Sequence, residues 1–319
     1  MRKLAIFGAA GAIGRVLALE LERRSVPFRV VGRSRPKLEQ AFDALAHAEI
    51  FPADLADPKA ARAAAEGVDS IVYAVGVPYT AFELHPLLMR VTVEAAAAMG
   101  VERLLVVSSV YSYGVPQTRR VAEIHPRMPH TRKGRMRKEQ EDIALEAHAK
   151  GQVAGLVLRL PDFYGPYAEN SLAHLVFRAA IQGKTANWLG RIDTTHEFLY
   201  VPDAAPVIAD LAARPDCFGQ AWNFGGPGEI AGVDFVTRVY RAAGRAPKYR
   251  AAGPGLLKIM GWFNPLYREL PEMLYLQETP VILDDSKLSG KLGPVPKTSY
   301  DEGIRRTLAW ITERPLTKT

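Results

Sequence analysis

The sequence has little cysteine and no long hydrophobic run. Its single cysteine among 319 residues, Cys217, cannot form a disulfide within the chain, and its neighbours lack the spacing of a metal site. Charged residues interrupt each long apolar stretch before it reaches the length that crosses a bilayer. These absences predict a protein with no membrane span and no bound metal, in a reducing, cytoplasmic setting.

The rest of the composition is that of an ordinary globular protein. Hydrophobic residues make up 48% of the chain and charged residues 24%, which argues against extensive disorder. The formal net charge is +7. Such a charge fits a nucleic-acid partner, an anionic substrate or a solvated basic surface, so the distribution of the basic residues has to decide among them.

Short β-rich runs alternate with helical patterns in the first half of the chain. The predicted strands are Leu4 to Phe7, Phe28 to Val31, Glu49 to Phe51, Ser70 to Val75, Arg103 to Ser108 and Val153 to Leu160. Strands joined by helices require crossover connections, so we predict an α/β fold with a Rossmann-like, doubly wound parallel sheet. We assign residues 1–165 to this domain, with a returning segment at about 192–228. Residues 166–191 and 229–319 then form a smaller, mostly helical C-terminal cap over the substrate.

A glycine-rich turn joins the first predicted strand to the first predicted helix. It reads GAAGAIG and includes Gly8, Gly11, Ala12, Ile13 and Gly14. Glycines at such a turn let the backbone approach a pyrophosphate, which the N–H groups of the helix N-terminus then bind. Because the turn opens a βαβ series, dinucleotide binding is favoured over a purely structural turn.

The residues after the second strand indicate which dinucleotide binds. An NAD site usually has an acidic residue there for the ribose 2′-hydroxyl, whereas this chain has Arg33, Ser34 and Arg35. A guanidinium can bind a 2′-phosphate through two hydrogen bonds, so NADP(H) is favoured over NAD(H). The alternative is a pair of solvated arginines on a loop.

Two later segments carry recognisable motifs. Ser108-Ser109 leads to Tyr113-Gly114 in an SSxxVYG-like run, and Arg159 to Pro166 follows an LRxxNxYGP pattern. In order and spacing the chain resembles the extended or atypical short-chain dehydrogenases/reductases of the NAD-dependent epimerase/dehydratase family. That resemblance implies further cofactor contacts at Asp54, Leu55, Ala74, Val75, Gly76, Pro161 and Phe163. It also implies a homodimer paired through the helices on either side of the fifth strand.

One motif of that family is missing from the chain. The resemblance implies Tyr-x-x-x-Lys after the SSxxVYG segment, where the tyrosine exchanges the substrate proton and the lysine lowers the tyrosine's pKa. Here the aligned run has Lys133 at the tyrosine and Arg137 at the lysine, or Gly134 and Lys138 after a shift of one residue. The family's serine is kept as Ser109.

Proton transfer therefore has to involve other groups, and the candidate catalytic residues are Ser109, Lys133, Arg137 and Tyr111. A lysine can act as an acid or base when burial or neighbouring cations lower its pKa. The cations near Lys133 in the sequence are Arg119, Arg120, Arg127, Arg132, Arg135, Arg137 and Lys138. Arg137 stays protonated and can only bind a ribose hydroxyl or a substrate carboxylate. Tyr113 and Tyr164 are alternative proton donors to Tyr111.

These features predict an NADP(H)-binding oxidoreductase or epimerase-like enzyme with non-standard proton-transfer residues. Its substrate is a small carbonyl or alcohol compound. If the basic run receives an anion, the substrate also carries an anionic group; the alternative is that the run is a solvated helix face. The alternative is a catalytically inactive NADP(H)-binding sensor or interaction protein. We expect no nucleic-acid partner, because the basic run lacks interleaved aromatic residues.

Overall fold

The computed structural model describes residues 3–253, 268–295 and 297–314 of the chain. The apolar residues 260–267, predicted to belong to the cap, lie outside the described residues. The strands are β1 Leu4–Phe7, β2 Phe28–Gly32, β3 Ala48–Pro52, β4 Ser70–Tyr73, β5 Arg103–Ser109, β6 Ala154–Leu160, β7 Asp162–Tyr164, β8 Ala186–Leu189, β9 Thr195–Tyr200, β10 Gln220–Asn223, β11 Glu229–Ala231 and β12 Tyr249–Ala252. The α-helices are α1 Ala12–Arg23, α2 Arg35–Phe42, α3 Pro58–Ala65, α4 Leu84–Ala98, α5 Arg132–Ala149, α6 Leu172–Ile181, α7 Ala204–Ala213, α8 Gly232–Ala242, α9 Tyr275–Glu278, α10 Ser286–Leu292 and α11 Tyr300–Thr312.

Seven strands form one parallel sheet in the order β10-β6-β5-β4-β1-β2-β3. The chain runs outward from β1 in both directions, which makes the sheet doubly wound and confirms the predicted Rossmann-like class. All strands are parallel, so their carboxyl ends share one edge, where ligands of such sheets bind. The strand order changes direction between β1 and β4, which places the glycine turn after β1 at the switch point of this edge.

Both faces of the sheet are covered by helices, as the residues of β1 illustrate. Leu4 and Ile6 belong to a core that includes residues of α1 and α7. Ala5 and Phe7 point to the other face and pack into a core that includes residues of α3, α4 and α5. A strand buried on both faces has no polar positions, which is why this part of the sequence reads as a continuous apolar run.

The cap consists of α6, α8 and α11 around an aromatic cluster, with two small sheets beside them. Tyr164, Phe177, Phe235 and Tyr300 lie in this cluster, which is separate from the cores of the parallel sheet. The small sheets are β11-β9-β7 and the pair β12-β8. The predicted helical cap is confirmed, whereas these short strands were absent from the sequence-based prediction.

Two helix boundaries differ from the prediction, each because of a side-chain hydrogen bond. Helix α5 begins at Arg132 and not at Arg137, because the Thr131 hydroxyl caps it and accepts a hydrogen bond from Gly134 N at 3.0 Å. Helix α2 ends at Phe42 and does not continue to about residue 47, because the carboxylate of Glu22 accepts the N–H groups of residues 46 and 47. The longer α5 places residue 133 in its first turn.

Candidate functional site

Two glycines of the β1–α1 turn are required by close backbone packing. Gly8 has a φ of +86°, and a Cβ there would lie 2.7 Å from the carbonyl oxygen of Ala74. A Cβ on Gly14 would lie 2.5 Å from the carbonyl oxygen of Ala9. Both distances are too short for any side chain. Gly8 therefore lets the turn pass close to the segment after β4, and Gly14 lets α1 pack closely against the turn.

The third glycine of the turn faces open space at the N-terminus of α1. A Cβ on Gly11 would meet only the carbonyl oxygen of Gly8, at 3.4 Å, and Gly11 itself is exposed. Gly11 is the N-cap residue, so no side chain satisfies the N–H groups of the first turn. Ala12 is half-buried there, while Ile13 is buried in the core. Unsatisfied donors at a helix N-terminus with no Cβ in front of them fit the diphosphate of a dinucleotide.

The three residues predicted to select NADP(H) have different roles after β2. The Ser34 hydroxyl caps α2 and accepts a hydrogen bond from Lys37 N at 3.5 Å. Arg35 forms an exposed ion pair with Glu39 at 3.3 Å. Arg33 is exposed and has no ion pair with any described residue. The chain has no carboxylate at the end of β2, and of the two arginines there only Arg35 has an ion pair among the described residues.

The remaining predicted cofactor residues follow the carboxyl ends of β3, β4 and β6. They are Asp54 and Leu55 after β3, Ala74, Val75 and Gly76 after β4, and Pro161 and Phe163 after β6. Asp54 is exposed and accepts a hydrogen bond from Ala56 N at 3.0 Å, whereas Leu55 and Pro161 are buried. The structure therefore brings these segments to the edge of the sheet that carries the glycine turn, and the buried members offer only backbone there.

Ser109 and Tyr111 lie at the end of β5. The Ser109 hydroxyl accepts a hydrogen bond from Tyr111 N at 3.4 Å, and it is half-buried. The Tyr111 hydroxyl lies 2.9 Å from the hydroxyl of Tyr79. Burial, reinforced by the nearby Tyr79 and Asp162, raises the pKa of Tyr111 well above its ordinary value. Tyr111 is therefore a neutral phenol, and its environment works against ionisation.

Lys133 is completely buried and is held by carboxylates. Its Nζ donates to Glu272 Oε2 at 2.8 Å and also to Glu269, and its backbone N donates to Glu272 Oε1 at 2.9 Å. The sequence predicted that neighbouring cations would crowd this lysine. That expectation is wrong, because the first turn of α5 turns Lys133 towards the cap, where the acidic residues 269 and 272 lie.

The cations of the basic run are likewise engaged by protein groups. The ion pairs are Arg119–Glu229, Arg127–Glu141, Arg127–Asp142, Arg132–Glu83 and Lys138–Asp142. Arg135 donates to the carbonyl oxygen of His130 at 2.6 Å. The segment was predicted either to receive an anion or to be a solvated face. The ion pairs neutralise much of its charge, so they favour the second interpretation.

Arg137 is buried beneath the site and its hydrogen bonds go to protein atoms. It donates to Gln140 Oε1 at 2.7 Å, to His85 Nδ1 at 3.2 Å and to the carbonyl oxygen of Val107 at 3.4 Å. Burial and the adjacent guanidinium lower the pKa of His85 to about 2, so its ring is neutral and can accept the hydrogen bond. Arg137 thus joins α5 to β5 and α4. The predicted contact of Arg137 with a ribose hydroxyl of the cofactor stays a prediction.

The two alternative tyrosines are enclosed in protein. The Tyr113 hydroxyl donates to Asn223 Oδ1 at 2.9 Å and receives a hydrogen bond from Arg159 at 2.8 Å. Tyr164 is fully buried in the aromatic cluster of the cap. Burial raises the pKa of both phenols. Neither tyrosine can meet a substrate without a rearrangement of the core.

Sequence reasoning missed Asp162 and Tyr79 at this edge of the sheet. Ser109 on β5 pairs in register with Leu160 on β6, and Asp162 follows two residues later. Asp162 keeps an exposed surface at the sheet edge. The protein atoms around its carboxyl nevertheless displace water, and this desolvation raises the pKa of Asp162. The signal for Asp162 was present, since it stands at the asparagine of the LRxxNxYGP pattern. Tyr79 begins a short 3₁₀ helix after β4, in a stretch of sequence with no distinguishing pattern.

Residues 3–253, 268–295 and 297–314 contain neither a candidate membrane span nor a candidate metal site. No helix there combines the length and apolar character that a membrane crossing requires. No group of three or more His, Cys, Asp or Glu side chains is placed to hold a metal ion in the same ranges.

Comparison with known proteins gives similarities at three levels. A family model described as the NAD dependent epimerase/dehydratase family matches residues 4–225. The chain is 26% identical over 162 residues to a dTDP-glucose 4,6-dehydratase of Shigella flexneri, a match covering 49% of this chain and 40% of that protein. It is 34% identical over 148 residues to a uronate dehydrogenase of Pseudomonas putida, covering 44% of this chain and 54% of that protein. The matches therefore span about half or less of these relatives.

The fold is also similar to that of a solved structure. A dTDP-glucose 4,6-dehydratase from Bacillus anthracis in complex with NAD superimposes with a TM-score of 0.82 at 17% identity, covering 98% of this chain and 97% of that one. The family model spans the glycine turn and all seven strands of the parallel sheet. On this sequence match and the common fold, the chain belongs to the NAD dependent epimerase/dehydratase family.

Proposed function

We propose that this protein is an NADP(H)-binding enzyme of the oxidoreductase or epimerase type with non-standard proton-transfer residues. The observation that carries the proposal is the open N-terminus of α1, where Gly11 leaves the first-turn N–H groups free. The preference for NADP(H) rests on Arg33, exposed and without a carboxylate partner among the described residues. The solved relative from Bacillus anthracis carries NAD, so the preference is the part that most needs a test.

In this proposal each segment of the sheet edge has a distinct task. The glycine turn after β1 holds the diphosphate, and Arg33 after β2 holds the 2′-phosphate. The backbone of residues 74–76 follows β4 on the other side of β1, so it faces the nicotinamide half of the dinucleotide. A bound nicotinamide would supply hydride transfer. Ser109 orients the oxygen of a carbonyl or alcohol substrate, and proton exchange falls to Lys133 or Tyr111.

The substrate is a small carbonyl or alcohol compound, and the printed names of the relatives suggest a sugar or a sugar nucleotide. The basic run is already paired with carboxylates, so it gives no support for an anionic group on the substrate. We therefore favour an uncharged sugar over a sugar nucleotide or a uronate, whose diphosphate or carboxylate would meet cations that are already paired. Homodimer formation through α4 and α5 and a cytoplasmic location stay predictions.

Titration of the purified protein with NADPH and with NADH tests the cofactor assignment. We expect NADPH to bind at least about tenfold more tightly, since a bidentate arginine–phosphate contact is a strong charge-assisted interaction. Arg33→Gln should abolish the difference by weakening NADPH alone. Arg35→Gln is the matched control, because Arg35 already pairs with Glu39 and should have a smaller effect. Binding of neither coenzyme would refute the proposed function.

A second candidate is a cofactor-binding protein without hydride transfer. Its support is the Lys133 ion pair, because in one of the two alignments the family's tyrosine is replaced by this lysine, which two carboxylates hold. Turnover with a panel of carbonyl and alcohol compounds separates the two candidates. Measurable turnover that falls steeply in Ser109→Ala favours the enzyme, whereas coenzyme binding with no turnover on any compound favours the second candidate.

A further inference from the structure

A pair of arginines approaches one tyrosine ring beside the glycine turn. The guanidinium carbon of Arg15 lies 5.0 Å from the centroid of the Tyr167 ring, and that of Arg314 lies 5.1 Å from it. Arg314 also lies 4.3 Å from the ring centroid of Trp310, which packs edge-on against Tyr167 at 5.2 Å. We call Arg15, Tyr167, Trp310 and Arg314 the arginine stack. It brings the end of α11 to the first turns of α1.

Arg15 is turned back towards the glycine turn. It lies one residue after Gly14 on α1, and its Nε donates to the carbonyl oxygen of Ala10 at 3.2 Å. Side chains on a helix point towards its N-terminus, so an arginine at this position reaches over the turn and not along the helix. Its guanidinium is therefore held at the glycine turn, against Ala10, the residue before the N-cap Gly11.

Tyr167, whose ring lies between the two arginines, has an unfavourable backbone conformation. Its φ is +64°, in the left-handed region that residues with a Cβ rarely adopt. Backbone strain of this kind persists only where the surrounding structure imposes it, and it concentrates at binding sites. Here the ring separates two positive side chains that belong to opposite ends of the chain.

The charges of the arginine stack are not balanced within the described residues. Neither Arg15 nor Arg314 forms an ion pair with a carboxylate there, although most arginines of the basic run do. A tyrosine ring attracts each cation only weakly, and the cations repel each other. An anion at this place would therefore be bound more strongly than at a neutralised surface.

We propose that Arg15 binds the diphosphate of the dinucleotide directly, and that Tyr167 and Arg314 position Arg15 for this contact. The inference rests on the proposed function, since that function brings the diphosphate to the turn. It adds a cofactor contact supplied by a side chain and not by the backbone. It also makes α11, far along the chain, part of the coenzyme site.

Binding of NADPH and NADH to variants of the stack tests this assignment. Arg15→Gln should weaken both coenzymes by about tenfold or more, because a charge-assisted hydrogen bond to a diphosphate oxygen is lost. The ratio between the two affinities should stay constant, since both coenzymes carry the diphosphate. That pattern distinguishes Arg15 from Arg33, whose replacement should change the ratio.

The positioning residues have their own expected pattern. Tyr167→Leu should weaken both coenzymes several-fold, and Tyr167→Phe should restore wild-type affinity because the cation–π contact needs the ring and not the hydroxyl. Arg314→Gln should reduce the thermal upshift caused by NADPH while leaving the melting temperature without coenzyme unchanged or higher. The matched control is Arg305→Gln, within α11, where the arginine pairs with Glu302 and lies outside the stack.

The outcomes separate the two levels of the argument. Wild-type protein that binds coenzyme while Arg15→Gln and Arg314→Gln bind within about twofold of it would overturn this inference and leave the proposed function standing. An equal loss in Arg305→Gln would also overturn it, because the effect would then be one of net charge. Wild-type protein that binds neither coenzyme would refute the proposed function itself.

Discussion

The Nζ of Lys133 lies 2.8 Å from Oε2 of Glu272, in an ion pair that joins the first turn of α5 to the cap. The ammonium group is fully buried, whereas the Glu272 side chain keeps 26% of its exposure. In one of the two alignments with the Tyr-x-x-x-Lys motif, Lys133 takes the place of the tyrosine. In that alignment, a contact between the two parts of the fold stands where the resemblance implies a proton-transfer group.

We expect the Lys133–Glu272 pair to stabilise the protein. Lys133→Met should lower the free energy of unfolding by about 2–3 kcal/mol, since it leaves two carboxylates facing an apolar side chain. In a double-mutant cycle with Glu272→Gln, we expect a coupling energy of about 1–2 kcal/mol, reduced because the carboxylate is partly exposed. Denaturant unfolding of the four proteins measures it. The exposed pair Lys150–Glu146 is the control and should give a coupling near zero.

Additive effects of Lys133→Met and Glu272→Gln would show that the pair contributes no stability of its own. Lys133 would then have another role, and proton transfer would be the leading one. Coenzyme affinity of both single variants should stay near that of the wild type. That measurement separates a structural contact from a contact with the dinucleotide.

The glycine turn gives a prediction that separates stability from binding. Gly14→Ala places a Cβ 2.5 Å from a backbone oxygen, so we expect a loss of about 2–4 kcal/mol in unfolding free energy. Gly11→Ala meets nothing closer than 3.4 Å and should fold with nearly wild-type stability. Its methyl group stands in front of the free N–H groups of α1, so NADPH affinity should fall by about tenfold or more. Thermal melting with and without NADPH measures both.

The opposite result would be equally informative. If Gly11→Ala bound NADPH as tightly as the wild type, the diphosphate would have to lie elsewhere than at the N-terminus of α1. The assignment of the turn as the cofactor site would then fail, although the packing roles of Gly8 and Gly14 would be unaffected.

Much of the parallel sheet could be predicted from the sequence because its signals are local. The observed strand β1 has the predicted ends Leu4 and Phe7, since a short apolar run followed at once by a glycine turn favours a buried strand over a helix. The late helix Tyr300–Thr312 was also predicted with its observed ends, because its polar and apolar faces alternate with a helical period. For both β1 and α11, the residues adjacent in the sequence contain all the information that the prediction needs.

The environment of the candidate catalytic residues could not be predicted, because it depends on contacts between distant segments. The carboxylates that hold Lys133 come from residues 269 and 272, more than a hundred positions away. Along the sequence, the neighbours of Lys133 are cations, and this is why crowding by positive charge was expected. The direction in which α5 turns that side chain is fixed by its first residue, and the Thr131 cap that fixes it was not recognised.

Tyr111 should remain un-ionised at pH values where an exposed tyrosine loses its proton. Burial raises its pKa well above 10.0, and the neighbouring Tyr79 and Asp162 act in the same direction. Removing it by Tyr111→Phe should therefore leave the tyrosinate absorbance unchanged between about pH 8 and pH 11. If the wild type showed a step in tyrosinate absorbance near pH 9 that the variant lacked, Tyr111 would have a lowered pKa. Tyr111 would then be the leading proton-transfer residue.

Glu197 should make the stability of the protein fall as the pH rises. Burial raises the pKa of this carboxyl to about 7, although it accepts hydrogen bonds from Leu283 N at 2.9 Å and Gly226 N at 3.0 Å and has Lys297 nearby. A pKa above the ordinary 4.5 means that the folded protein binds the proton more tightly than the unfolded chain. The resulting stabilisation is complete below about pH 4.5 and is lost as the pH rises through about 7.

Comparison with Glu197→Gln isolates this contribution, because the amide mimics the protonated carboxyl. Between about pH 5 and pH 8, the wild type should lose unfolding free energy relative to the variant. The loss is 1.36 kcal/mol per pH unit at most, and up to about 3 kcal/mol in total. Urea unfolding at several pH values measures the difference, and histidine titration cancels because both proteins share it. Glu302→Gln serves as the control, since arginines 305 and 306 lower the pKa of that exposed carboxyl and its contribution is complete before pH 5. A constant difference between Glu197→Gln and the wild type across this range would mean that Glu197 is ionised throughout, and that the two N–H groups and Lys297 outweigh the cost of burying its charge.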